Sequence, residues 1–244
     1  RLQWFESTTC HHDDRGADRA SIWKSTVAPA QGGSVAQFLD GRWIVSPQDV
    51  VAEYECSHKV VLTAAVKSGA LTVAKESDPA LELLRRQGLA HERLRLEGLD
   101  PTWRVKRHGP LAHSLEAYES AWQITAAAMT EEYDAIFQAA LFTGDFVGIA
   151  DFLILARDDS GSILRDAQGR AVYEPVDAKS ARSAKRGAVL QVGAYAEALV
   201  RLGCPAPSRV HLWLAGDDDW SGPADPVMAL AQEFRQRVHA RLPE

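Results

Sequence analysis

Two aspartates and a lysine carry the chemistry that this sequence offers most directly. Asp151 stands in the apolar run from Phe146 to Ala156, among Ile149, Phe152, Leu153, Ile154 and Leu155. An ionised carboxylate in such surroundings is costly unless a cation or strong hydrogen-bond donors meet it. Asp177 repeats the situation near the end of the run from Ala171 to Lys179, and Lys179 follows two residues later. Side chains two apart on a strand share a face, so Asp177 and Lys179 project together. A hairpin joining the two runs sets Asp151 beside Asp177. Paired carboxylates are hard oxygen ligands for Mg²⁺ or Mn²⁺. Such an ion polarises a scissile phosphate and lowers the pKa of its bound water. A neighbouring lysine can orient that water or offset the negative charge of the transition state. The plain structural alternative is a strand-end Asp151 bonded to backbone amides and a surface ion pair between Asp177 and Lys179.

Two further segments extend the set. Gln191 and Tyr195 are four residues apart in an amphipathic stretch after Lys179, which places them on one face of a helix. Upstream, Gly88-Leu89-Ala90-His91-Glu92 falls in another helical stretch, with His91 on its apolar face. Read in order, Gly148-Ile149-Ala150-Asp151, Glu174-Pro175-Val176-Asp177-Ala178-Lys179 and Gln191-Val192-Gly193-Ala194-Tyr195 resemble the RecB-type pattern G-x-x-D, (D/E)-x-K and Q-x-x-x-Y. The segment around His91 resembles the G-x-x-H-E motif that precedes these in the family.

The resemblance, to RecB-like nucleases of the PD-(D/E)xK superfamily often joined to superfamily 1 helicases, covers roughly residues 42–216. It implies a metal-dependent nuclease acting on single- or double-stranded DNA in repair, recombination or defence. By the same resemblance His91, Asp151, Asp177 and the Ala178 carbonyl hold Mg²⁺ or Mn²⁺, and Lys179 acts on the water or the transition state. Gln191 and Tyr195 position the substrate or the lysine, with Lys185 and Arg186 free to bind phosphate. Glu92 is read as pointing elsewhere on its helix, at most a water-mediated ligand or helper. Some relatives carry a four-cysteine iron–sulfur cluster. Cys56 falls where its first cysteine would, but Cys204 alone stands in the later region, so no cluster is expected in this chain. A helicase or another repair or defence protein, in cis or in trans, is the implied partner.

Two other functions fit parts of the sequence. One is a non-catalytic nucleic-acid-binding or scaffolding module on the same fold; modules of that kind lose an acidic residue or the lysine, and this chain keeps them. The other is a different metal-dependent hydrolase built on His11, His12, Asp13 and Asp14.

The elements that must position these residues are legible in outline. Residues 1–40 read as an N-terminal arm or loop, and 41–244 as the nuclease domain, helical to about 135 and carrying the catalytic sheet from about 136. Ser46-Pro47 starts a helix that runs to about Val66, with apolar positions Val50, Val51, Tyr54, Val61, Leu62 and Ala65. Further helices are expected from Ser77-Asp78-Pro79 to about Leu96 and from His113 to Tyr133. Strands are expected at Arg42–Val45, Ile136–Phe142, Phe146–Ala156, Ala171–Lys179 and Arg209–Ala215. Gly187–Leu202 reads as a helix capped by Gly203, Gly216–Asp225 as an acidic turn, and Pro226–Leu242 as a last helix. That order predicts an α/β fold with a mixed central sheet flanked by helices.

Composition sets outer limits. Of 244 residues, 46% are hydrophobic and 25% charged, the balance of a folded globular chain. The net charge of -6 offers no global attraction for nucleic acid, so any such contact must use local patches: Arg85-Arg86, Arg104 to His108, or Arg182 to Arg186. Three scattered cysteines argue against a disulfide framework and favour a reducing cytoplasm. No apolar run reaches the roughly 18–20 residues that span a bilayer, and Arg1–Glu6 lack the apolar core of a signal peptide. The first residue is Arg, which suggests a fragment or a processed chain.

Overall fold

The computed structural model describes residues 36–73, 78–216 and 218–243. It opens with a short hairpin, β1 (Gln37–Leu39) and β2 (Arg42–Ile44), turned by Asp40 and Gly41 at φ 48° and 77°. Gln37–Leu39 thus form a strand where the sequence suggested the end of an arm. Residues 1–35 of that arm, with His11, His12, Asp13 and Asp14, lie outside the described residues.

Helix α1 (Pro47–Glu55) starts where expected, with Ser46 N–H donating to Asp49 Oδ2 at 2.8 Å and Pro47 at the first helical position. The single helix expected to continue to Val66 breaks at Cys56. Its extended backbone (φ −166°, ψ 105°) ends α1 and begins α2 (Ser57–Lys67). The apolar spacing runs through the break, so periodicity could not show it. Asp78 caps α3 (Pro79–Glu97) by accepting from Ala80 N–H, and Ser114 caps α4 (Leu115–Thr130). Between these helices lies β3 (Val105–Arg107), which at three residues is too short to show an alternation.

The second half runs β4 (Ala135–Phe142), β5 (Val147–Leu155), β6 (Tyr173–Lys179), α5 (Arg186–Arg201), β7 (Arg209–Leu214), β8 (Trp220–Pro223) and α6 (Ala224–Arg241). The sheet order is β3-β4-β5-β6-β7-β8. Pairs β3–β4 and β6–β7 are parallel and the others antiparallel. The protein is therefore α/β, with a six-stranded mixed sheet flanked by helices. Strand β8 occupies part of the stretch expected to be an acidic turn. Gly203, at φ 74°, ends α5 by donating its N–H to the Val200 carbonyl, as its position suggested.

Strand β6 is buried from Tyr173 through Ala178. One face of the sheet packs Leu153, Leu212 and Leu214 under Leu190, Ala194 and Tyr195 of α5. On the other, Phe152, Val176 and Ala178, with Trp213 beside them on β7, pack against Leu96 and Leu99. Helix α5 is held between the sheet and helices α1 and α6. Its Gly193 permits this: a Cβ there would stand 2.5 Å from Val227 Cγ1 and 2.7 Å from the Val227 carbonyl oxygen. No described helix is long and apolar enough to cross a membrane.

Candidate active site

The site forms where β5 and β6 part. Their ladder ends at the pair Phe152–Val176. The next inward-facing N–H of β6, that of Ala178, donates instead to Asp151 Oδ2 at 2.7 Å. A carboxylate thus replaces a backbone partner. This meets the backbone donor that strand divergence would leave unpaired, and it fixes Asp151 beside the end of β6. Asp177 and Lys179 share the face that packs under α5, because they pair with Leu212 and Leu214 of β7.

Helix α5 closes the site over that face. Gln191 Nε2 donates to Asp177 Oδ1 at 3.1 Å and to the Tyr195 hydroxyl at 3.0 Å, while its Oε1 accepts from Lys179 Nζ at 3.3 Å. The Tyr195 hydroxyl donates to the Ile149 carbonyl at 2.8 Å, tying α5 back to β5. Gly148 makes room for the tyrosine: a Cβ there would lie 2.9 Å from Tyr195 Cε1 and 3.0 Å from Cδ1. The glycine and the tyrosine, 47 positions apart in sequence, are two halves of one contact. Asp151, Asp177, Lys179, Gln191 and Tyr195 are thus brought together, with Ala178 contributing its N–H.

The helix upstream is placed differently from the expectation. His91 is buried, and its Nε2 donates to the Trp213 carbonyl of β7 at 3.0 Å. Its neighbour Glu92, read from the sequence as pointing elsewhere, faces the acids. Gln138 Nε2, on β4, lies 2.9 Å from Glu92 Oε2 and 3.5 Å from Asp151 Oδ1. The two residues are about 100° apart around the helix, so a small rotation decides which one faces the strand ends. Gln138 itself passed unnoticed in the sequence, as one polar residue in the run Ile136–Phe142.

The electrostatics follow from this crowding. Burial raises the pKa of Asp151 well above the carboxylate range, and the nearby Asp177 and Glu92 add to it. Burial likewise raises Asp177, against the opposing pull of Lys179. Glu92 is raised by burial and by Asp177. Burial alone would lower Lys179, but Asp177 and Asp151 outweigh it and hold the ammonium charged. Burial raises Tyr195 well above the phenol range, so its hydroxyl stays a donor.

A divalent cation suits the donor set. Asp177 is 1% exposed, and its Oδ2 receives no directed hydrogen bond, only the Lys179 ammonium at 2.6 Å. A buried carboxylate oxygen in that condition, one residue from an Asp151-bound amide, has lone pairs left for a hard cation. Among the described residues, no group of three or more His, Cys, Asp or Glu is placed to hold a metal ion. No family model and no curated protein matches the chain.

Proposed function

We propose that the chain is a metal-dependent nuclease, a RecB-like module of the PD-(D/E)xK superfamily, that hydrolyses phosphodiester bonds in DNA. One observation carries this reading. Residues from β5, β6 and α5 converge as a carboxylate pair, an ion-paired lysine and a glutamine–tyrosine clamp, with one buried carboxylate oxygen met only by the lysine ammonium.

Asp151 and Asp177 would hold Mg²⁺ or Mn²⁺, with the Ala178 carbonyl as the further ligand that the family resemblance implies. The ion, when bound, supplies Lewis acidity toward a phosphate oxygen and a lowered pKa for its water. Lys179 keeps its proton at Nζ and offers that charge to a phosphate oxygen. Gln191 holds both Lys179 and Asp177 in place, and Tyr195 fixes Gln191 through the Ile149 carbonyl. Lys185 and Arg186, exposed at the start of α5, would bind phosphate of the backbone. Single- or double-stranded DNA is the substrate class, in repair, recombination or defence in the cytoplasm, with a helicase or another such protein as partner in cis or in trans.

One observation favours the alternative of a non-catalytic nucleic-acid-binding module. The Lys179 ammonium stands on the very Asp177 oxygen that an ion would need. The test is cleavage of linear single- and double-stranded DNA with Mg²⁺ or Mn²⁺ by wild type, Asp177→Ala and Lys179→Ala. Cleavage by wild type and its loss in both variants is expected. Equal cleavage by all three refutes the site, and no cleavage by wild type turns the reading to the binding module.

A further inference from the structure

Gln138 has a backbone that its place in the fold does not require. Three described non-glycine residues have positive φ: Asp40, Glu132 and Gln138. Asp40 and Glu132 lie in turns, where such a conformation is ordinary, but Gln138, at φ 55°, is inside β4. The ladder pairs Phe137 with Phe152 and Ala139 with Ala150, which leaves Gln138 facing Asp151 between them. A side-chain-bearing residue keeps a left-handed backbone in mid-strand only where its surroundings compensate, and such residues cluster at functional sites. Here the compensation is visible. One amide nitrogen reaches Glu92 at 2.9 Å and Asp151 at 3.5 Å, on two different elements.

Building on the nuclease reading, we infer that Gln138 is a positioning residue. Its amide holds Glu92 at 2.9 Å and spaces it from Asp151, so that Glu92 completes the metal-binding constellation as its outer carboxylate. The amide suits this role because it donates to each acid and carries no charge, so it separates two like charges without competing for the cation. Glu92, Asp151 and Asp177 against a single Lys179 leave the ionised site with an excess of negative charge that a divalent ion offsets. Asp177 Oδ2, buried and met only by the Lys179 ammonium at 2.6 Å, keeps a lone pair for such an ion independently of the amide. An outer carboxylate of this kind holds the ion's water and orients the inner ligand, and losing one costs about 10–100-fold in metal affinity.

The experiment is a double-mutant cycle on the whole chain, with Mn²⁺ affinity read by calorimetry and DNA cleavage read separately. The variants are Gln138→Gly, Glu92→Ala and the pair. Glycine adopts the positive φ without strain, so Gln138→Gly removes the amide while sparing β4; Gln138→Met, which keeps the bulk, is its control. Both single variants are expected to weaken Mn²⁺ binding by about tenfold or more, and the pair no more than Glu92→Ala alone, because the amide acts through Glu92. Unchanged Mn²⁺ affinity in Gln138→Gly and Gln138→Met, or effects that simply multiply in the pair, overturns the inference even if wild type cuts DNA. Coupled Mn²⁺ binding with no cleavage by wild type upholds the inference and refutes the nuclease. Failure of wild type to bind Mn²⁺ overturns both.

Discussion

Gly148→Ala is a sharp test of how the site is held, because the structure says what one methyl group would meet. An added Cβ stands 2.9 and 3.0 Å from two ring carbons of Tyr195 and 3.2 Å from Phe146 Cε1. Carbon atoms rest at about 3.5–4.0 Å, so the tyrosine ring must move by roughly 0.5–1 Å. It has little freedom to do so. The ring is 2% exposed, and its hydroxyl is bound to Ile149 and Gln191 at 2.8 and 3.0 Å. Overpacking of this kind costs about 1–3 kcal/mol. For a chain of this size each kcal/mol lowers Tm by about 2–4 °C, giving a fall of roughly 2–12 °C. The displaced hydroxyl also releases Gln191, which carries Lys179 and Asp177, and misplacement on this scale is expected to cost about 10–100-fold in kcat. Urea unfolding and steady-state cleavage measure the two effects. In a Tyr195→Leu background the methyl group has no ring to strike, so most of its stability cost should vanish. A Gly148→Ala variant of wild-type stability, or one equally costly beside Leu at 195, refutes the reasoning.

Two other substitutions separate packing from chemistry. Gly193→Ala drives a Cβ to 2.5 Å from Val227 Cγ1 and 2.7 Å from its backbone oxygen, and a backbone atom cannot swing aside. Helices α5 and α6 must part, so thermal unfolding should show a stability loss at the upper end of the 1–3 kcal/mol overpacking range or beyond; a Tm within a degree of wild type contradicts the close approach. His91→Ala removes the donor to the Trp213 carbonyl and should cost about 1–3 kcal/mol for the orphaned acceptor. Its Mn²⁺ affinity by calorimetry should match wild type, and a large loss there returns the imidazole to the metal.

The strands around the acids were legible because burial leaves a plain trace. Apolar runs at 136–142 and 146–156, each broken by a single polar residue, are what a sheet covered on both sides demands. The i,i+2 and i,i+4 spacings then put Asp177 with Lys179, and Gln191 with Tyr195, on shared faces without knowledge of the fold. Short edge strands β3 and β8 escaped, since three or four residues carry too little alternation to be seen. The break at Cys56 escaped because a helix can stop and restart without disturbing its apolar face.

What the sequence determined by itself was the chemical inventory and its order along the chain: acid, acid, lysine, glutamine, tyrosine. These follow from local geometry, which a residue's neighbours dictate. What only the tertiary structure decided was which partner faces which. His91 and Glu92 are consecutive, and the docking of α3 on the sheet turns one to the Trp213 carbonyl and the other to Gln138. Gly148 gained its meaning only when Tyr195 arrived on its surface from a helix 47 positions away. Gln138 became visible only as a left-handed residue inside a strand. Each of these depends on contacts between distant segments, fixed by the packing of whole elements and absent from any local pattern.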